Sequence, residues 1–241
     1  MGIPHSPISD LVEAASPGTG GPPRADVIRR ALVTAILEHR LDPGTKLGED
    51  EIGSLYGVSR TIVRGVLQSL AHEGLVVIEK NRGAFVAHPS VADAREVFEA
   101  RRLIESATTR LAAERRDAAG IARLRTHLAA EARAAAEGDE PTAVRLSGEF
   151  HIELARIAGH RIYETFLAEL VARSSLILLL YRSRSPGCGP EDHARLVDAV
   201  EAGRGGEAVE LMDHHLAEIL EGLDLVDRTA PPRPLAAILG L

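Results

Sequence analysis

The sequence predicts a mainly α protein in two parts: an N-terminal winged helix-turn-helix followed by a C-terminal antiparallel, all-helical bundle. Three observations predict it. The string Gly57-Val58-Ser59-Arg60-Thr61-Ile62-Val63-Arg64 puts a tight turn directly before a helical pattern. Two β-prone runs, Val76-Val77-Ile78 and Ala84-Phe85-Val86, follow it around a short basic connection. After His88 strand patterning disappears, and long Ala-, Leu-, Arg- and Glu-rich segments take over.

Residues 1–23 are rich in Pro, Gly and Ser and are expected to form a flexible arm, because they hold too little apolar surface to build a core. From Arg24 the residues Val27, Ile28, Leu32, Ile36 and Leu37 recur at helical spacing, and Leu41-Asp42-Pro43-Gly44 ends that helix. Glu49 to Tyr56 reads as a second helix. Ser59 to His72 reads as a third, with Ser59 suited to the N-cap and Ile62, Val66, Leu67 and Leu70 facing inward. Between the two β runs, Glu79-Lys80-Asn81-Arg82-Gly83 is hairpin chemistry with a basic tip, and Gly83 accommodates positive φ there. These elements assign residues 24–88 to one domain.

His88-Pro89-Ser90 reads as a linker. Beyond it, breaks near Asp117–Gly120, Glu137–Pro141, Ala158–His160, Ser185–Pro190 and Gly203–Gly206 delimit about six helices in a second domain over residues 89–226. The tail 227–241, with Pro231, Pro232 and Pro234, is expected to be disordered.

Bulk composition narrows the setting. The lone Cys188 cannot form an internal disulfide, and no signal-peptide pattern opens the chain, so a reducing cytoplasm is the expected compartment. Leu176 to Leu180 is the longest aliphatic run, far short of the roughly 20 residues of a membrane span. No membrane partner is expected. The net charge of −7 does not argue against nucleic acid, because the acidity concentrates downstream of residue 88. Residues 56–88 carry Arg60, Arg64, Lys80 and Arg82 against only Glu73 and Glu79, a local basic footprint.

Arg60 and Arg64 lie one helical turn apart and share a face. An α-helix fits the major groove, where Arg bonds guanine O6 and N7 bidentately. Ser59 and Thr61 carry short hydroxyls at the start of the same helix, suited to a phosphate or base. Arg82 on the hairpin tip reaches an adjacent phosphate or the minor groove. A random arginine pair is more often a solvated face; the order of turn, apolar face and basic hairpin outweighs that reading here.

Three histidines of the second domain sit where they could converge. His193 and His215 are equally far from the Gly203–Gly206 loop, so in an antiparallel hairpin, rising about 1.5 Å per residue, they stand at one height. His151, beside Phe150, Leu154 and Ile157, points inward if its helix packs on that hairpin. Three neutral imidazoles around a point suit Zn²⁺ or another borderline divalent ion. Spacing alone leaves open the ordinary reading of isolated core or surface histidines.

The string from Ile36 through Leu41-Asp42-Pro43-Gly44-Thr45-Lys46-Leu47, Gly57-Val58-Ser59-Arg60, Val63-Arg64, Leu67, Leu70, Glu73-Gly74-Leu75-Val76 and Arg82-Gly83-Ala84-Phe85-Val86 resembles the GntR family of bacterial transcription regulators. Val97 to Ala113, Phe150-His151, His193 with Leu196, and Ala208 with Met212, His215 and Leu216 resemble that family's FCD effector domain. The resemblance implies a homodimer on an inverted-repeat operator in double-stranded DNA, with Arg60 and Arg64 on bases and the wing at Arg82 and Gly83 on the minor groove or backbone. It also implies a divalent metal, expected to be Zn²⁺, held by one Asp and three His, and helping to hold a small carboxylate or sugar-acid effector. The histidines carried over are His151, His193 and His215.

Two residues depart from the pattern. Gly65 stands where a Glu is usual, and Ser147 stands where the acidic metal ligand is expected, four residues before His151. Glu149 does not replace that ligand, being two residues from His151 and on another side of the helix. Arg101, in Arg101-Arg102-Leu103-Ile104-Glu105, matches the domain's arginine. It is either the clamp for the effector's acid group or the partner of Glu105 one turn on. Arg101 and Ser147 are assigned to the effector pocket, with Arg173 and Tyr181 placed along the same cavity. The leading function is a ligand-controlled transcription regulator, expected to be a repressor and not an enzyme. A metal-dependent enzyme built on the three histidines and a ligand-independent architectural DNA-binding protein are the competing functions.

Overall fold

The computed structural model describes residues 23–38, 40–181 and 190–226. They divide at Pro89/Ser90 into two compact units, the first built around a small sheet and the second of helices alone. The expected N-terminal arm up to Pro22, the Ser185–Gly189 break and the 227–241 tail lie outside the described residues.

The first unit runs α1 (Arg24–Leu37), β1 (Lys46–Leu47), α2 (Glu49–Tyr56), α3 (Arg60–His72), β2 (Val76–Glu79) and β3 (Gly83–Val86). Ile28, Leu32 and Ile36 from α1 join Ile52 from α2 and Val63, Leu67 and Leu70 from α3 in its core. Gly57 caps α2 in the left-handed conformation at φ 62°, which turns the chain sharply into α3. Arg24 braces that turn from the start of α1, its Nη1 donating to the Gly57 carbonyl at 2.7 Å. At the other end of α3, Arg29 and Glu73 form a half-buried ion pair at 2.8 Å.

Four local expectations change. Ile62 is 40% exposed, and Val63 takes the inward position. The buried stripe is Val63, Val66, Leu67 and Leu70, the i, i+3, i+4, i+7 set of one helix face, from which Ile62 is turned away by about 100°. Val27 likewise sits on the outer side of α1. Ser59 occupies the N-cap of α3 in extended backbone conformation, but its hydroxyl makes no capping bond. The wing is also larger than the two runs suggested: β1 joins it, giving an antiparallel sheet in the order β1-β3-β2 with Lys46 opposite Phe85 and Val77 opposite Phe85 on the other side.

The second unit runs α4 (Val91–Arg115), α5 (Ala118–Glu137), α6 (Glu140–Ala158), α7 (Arg161–Tyr181), α8 (Pro190–Glu201) and α9 (Gly205–Glu221). The breaks around α4, α5 and α6 have chemical causes. Ser90 and Asp93 close a capping box at the start of α4, Asp117 caps α5, and Gly138 and Gly159 end α5 and α6 in the left-handed region. α4 is the central helix, packed against α6, α7, α8 and α9, while α5 packs on α6 and α8. α4 and α7 run antiparallel, since Arg101 reaches Ser174 whereas Arg115 reaches the Ala158 carbonyl just before α7. Phe98, Phe150, Leu154, Ile177, Tyr181, Leu196, Met212 and Leu216 fill the interior. Among the described residues no helix is long and apolar enough to cross a membrane.

Gly65 lies on the exposed side of α3 with open space where a Cβ would stand. Gly65→Ala should therefore stabilise the first unit by about 1 kcal/mol through helix propensity, read as a raised urea midpoint. An unchanged or lowered midpoint would contradict this account of α3.

Candidate nucleic-acid interface and metal centre

In the first unit, the α2–turn–α3 geometry puts Ser59, Arg60, Thr61 and Arg64 on the exposed side of α3, opposite its apolar stripe. Both arginines are engaged by the first turn of α2. Arg64 donates from Nε to Glu49 Oε1 at 2.9 Å and from Nη2 to Glu49 Oε2 at 2.7 Å, and Arg60 pairs through Nε with Asp50. The hydrogen bonds from Arg64 hold the Glu49 carboxyl below its ordinary range. At the wing tip, Asn81 (φ 63°) and Gly83 (φ 104°) both take left-handed backbone, so the reversal needs two such residues and not Gly83 alone. Arg82 is exposed there, paired with Glu79 and 5.3 Å from the Phe85 ring centroid. Sequence reasoning missed Lys46: it is exposed on β1 and lies beside Gly83, adding a third cation to the wing after Lys80 and Arg82.

In the second unit, α6, α8 and α9 bring His151, His193 and His215 together, each 1–2% exposed. The Nε2 atoms of His193 and His215 are 3.2 Å apart, and those of His215 and His151 are 3.4 Å apart. The outer nitrogens are committed elsewhere. His151 Nδ1 lies 2.5 Å from Glu105 Oε2 on α4, and His193 Nδ1 lies 3.0 Å from Glu131 Oε2 on α5. Phe150 stacks on the His193 ring at 4.1 Å and fixes its plane.

Glu105 is the junction of this network. Its Oε1 accepts from Arg101 Nε at 2.6 Å, and Arg101 Nη1 donates to Ser174 Oγ at 3.0 Å. The helix pair Arg101–Glu105 thus forms, yet Arg101 Nη2 is buried and, among the described residues, without a hydrogen-bond partner. Burial by itself pushes the Glu105 carboxyl up, but the Arg101 charge and His151 outweigh it and hold it at about 2. Burial lowers His151 to about 4 and His215 further still. The centre therefore combines the neutral imidazoles of His151 and His215 with the ionised Glu105 carboxylate at neutral pH.

This donor set fits a divalent cation. With Nδ1–H of His151 and His193 given to carboxylates, both Nε2 lone pairs point at His215, whose single Nε2 can supply at most one proton between them. A cation satisfies all three. Tetrahedral zinc with Zn–N near 2.0–2.1 Å separates its nitrogen ligands by roughly 3.3–3.4 Å, close to the 3.2 and 3.4 Å found. Carboxylates on the outer nitrogens are the usual means of orienting metal-bound histidines. Among the described residues the His, Cys, Asp and Glu side chains grouped closely enough to hold an ion are these three histidines; Ser147 is half-buried one turn before His151. Glu149 is engaged by Arg145 at 2.9 Å. Tyr181 is fully buried in the core, and Arg173 is half-buried.

Glu131, and the bond from Glu105 to His151, escaped the sequence reading. A signal existed: Ile121, Leu124, Leu128 and Glu131 fall on one stripe of α5, and a lone carboxylate on an apolar stripe calls for a buried partner.

A winged helix-turn-helix with an exposed arginine pair, joined in one chain to a helical unit built around a buried three-histidine cluster, is the make-up of a DNA-binding regulator with a second, helical domain. Two family models match accordingly: bacterial regulatory proteins of the gntR family over residues 24–86, and the FCD domain over residues 96–218. The HTH-type transcriptional regulator LutR of Bacillus subtilis is 27% identical over 207 residues, covering 76% of this chain and 94% of its own. The HTH-type transcriptional repressor RspR of Escherichia coli is 29% identical over 202 residues, covering 82% and 86%. The crystal structure of a putative GntR transcriptional regulator from a Rhodococcus species superposes with a TM-score of 0.73 at 25% identity, covering 82% of this chain and 96% of that one. The chain belongs to the GntR family of transcription regulators and carries an FCD domain.

Removing Glu105 would strand the buried Arg101 guanidinium. Glu105→Ala should lower the stability of the helical unit by about 3 kcal/mol or more, with Glu105→Gln less harmful. Urea denaturation checks this, and a loss below about 1 kcal/mol, the range of an exposed pair, would show that the network does not hold the unit together.

Proposed function

We propose that this regulator is a metabolite-controlled repressor that acts in the cytoplasm as a homodimer on an inverted repeat. Residues 24–88 form its DNA-binding domain and 89–226 its effector-binding and dimerisation domain. Arg60 and Arg64 read guanines in the major groove, Ser59 and Thr61 contact phosphate, and Arg82 with Gly83 brings the wing to the minor groove or backbone. Repression as the output is supported by the similarity to RspR, the transcriptional repressor above.

The observation that carries the control half is the buried centre: three imidazoles whose ligand nitrogens lie within 4.8 Å of one another, His215 Nε2 standing at metal-ligand spacing from those of His193 and His151, in one bonded network with an arginine whose Nη2, among the described residues, lacks a partner. Zn²⁺ or a similar ion held there by His151, His193 and His215 supplies a Lewis-acidic position for an anionic oxygen. Arg101 offers a carboxylate a guanidinium N–H, and Ser147 leaves the fourth ligand position to the effector, a small carboxylate or sugar acid. Binding favours one of two arrangements of the dimer and so shifts operator occupancy. The enzyme reading fares worse: Glu105 and Glu131, the carboxylates bonded to the histidines, already orient imidazoles and are not placed to act as a general base on water.

Two measurements test this. Arg60→Ala with Arg64→Ala should weaken binding to a duplex selected from random sequence by at least about 30-fold, since each bidentate guanine contact contributes about 1–3 kcal/mol; a gel shift at fixed salt with unchanged affinity would overturn the DNA reading. Protein purified without chelators should carry about one zinc per chain by elemental analysis, and His193→Ala should carry little. Near-zero metal in the wild type even after zinc addition would end the metal assignment.

A further inference from the structure

The two arginines assigned to base reading are each held by a carboxylate from the first turn of α2, and the atoms used are informative. Glu49 takes the Nε and Nη2 of Arg64. Asp50 takes the Nε of Arg60. A guanidinium has five N–H donors in a planar fork. Pairing along the Nε side leaves the end of the fork, the outward N–H groups of Nη1 and Nη2, which is the edge that spans guanine O6 and N7. An arginine can therefore hold its acid and a guanine at once.

From this we infer that Glu49 and Asp50 are specificity-determining positioning residues: they fix the planes of Arg64 and Arg60 for guanine and keep both arginines off phosphates. The inference rests on the base-reading roles proposed for Arg60 and Arg64. All four side chains are substantially exposed, and exposed ion pairs add little to stability, so the fold itself does not need them. An arginine freed from its acid is a flexible cation that finds a phosphate on any sequence. One held by its acid gains its second partner only where guanine stands opposite. On other sequences the carboxylates remain, facing a polyanion. The acids thus lower affinity for all DNA while widening the gap between right and wrong sites.

Helix-dipole stabilisation by the acidic first turn Glu49, Asp50 and Glu51 is the structural role these residues would otherwise have. It predicts no change in sequence discrimination. The test uses the full chain, the duplex that the wild type enriches from a randomised pool, and the same duplex scrambled, with affinities measured by fluorescence anisotropy across a salt series. Glu49→Gln with Asp50→Asn should raise affinity for the scrambled duplex and lower the selected-to-scrambled ratio by about tenfold, one guanine contact's worth of discrimination. The salt slope on the scrambled duplex should steepen by about one to two, matching the phosphates newly engaged. Asp50→Glu with Glu49 intact should keep most of the ratio. A ratio that falls by less than about threefold, including the case in which both affinities rise together through simple loss of repulsion, overturns the inference. Arg60→Ala with Arg64→Ala in the same assay separates the two levels. If that variant binds like the wild type, or the wild type enriches no sequence, the base-reading assignment has failed and this inference with it. If it loses the selected duplex while the acid variants keep their ratio, only this inference has failed.

Discussion

A carboxylate with no exposed surface organises the helical unit. Glu105 accepts from Arg101 on its own helix and from His151 on α6, and Arg101 continues to Ser174 on α7. An isolated charge at that depth would neutralise; a guanidinium and an imidazole N–H together make ionisation the lower-energy state. The bonds that stabilise the charge also set the orientation of the ring. Glu131 repeats the device from the opposite side, fixing His193 of α8 from α5. Two carboxylates on two helices aim two imidazoles inward, and His215 of α9 stands between them. All six helices of the unit are tied to the network through these residues.

The first unit solves the same problem of aiming charged side chains with the opposite distribution of forces. The carboxylates that engage Arg60 and Arg64 meet them at the surface, where Coulomb energy is small. Their frame must come from apolar packing: the stripe Val63, Val66, Leu67 and Leu70 anchors α3 to α1 and α2. The turn between α2 and α3 is set by left-handed Gly57 and by Arg24, which spends its charge on two backbone carbonyls. Here the core places the charges. In the helical unit the charges are part of the core.

This contrast also explains what was legible in the sequence. The helices and hairpin of the first unit could be read because periodicity and Gly, Ser and Pro punctuation act locally, and α2 runs over the predicted residues. β1 could not, since two residues carry no alternation and pair only through contact with β3. Ile62 was misplaced because it and Val63 are both apolar and adjacent; only the phase of the whole stripe distinguishes them. The meeting of His193 and His215 followed from symmetry about a loop, which is again a local argument. The carboxylates behind the histidines were invisible for the converse reason. Glu105 and Glu131 lie 46 and 62 residues from the rings they hold, and on Ala-rich helices a Glu is by default a solvated residue. Arg101 was posed as a choice between an internal pair and a ligand clamp. The guanidinium has enough donors for the first without exhausting them for the second.

The substitution at Ser147 gains meaning from the same electrostatics. Glu105 is matched by Arg101, neutral His151 and His215 bring no charge of their own, and Glu131 places a single carboxylate behind His193, less than a divalent ion's charge. On the proposed reading a divalent ion among three imidazoles therefore adds positive charge to a buried site that a side-chain carboxylate at position 147 would have partly cancelled. With a hydroxyl in that place the charge is left for an anion arriving from outside, and water is the weaker competitor. Metal and effector then stabilise one another, and because such coupling is reciprocal, each binds more tightly in the other's presence. On that reading a side-chain carboxylate would hold the ion independently, whereas a serine would make its retention depend on the effector.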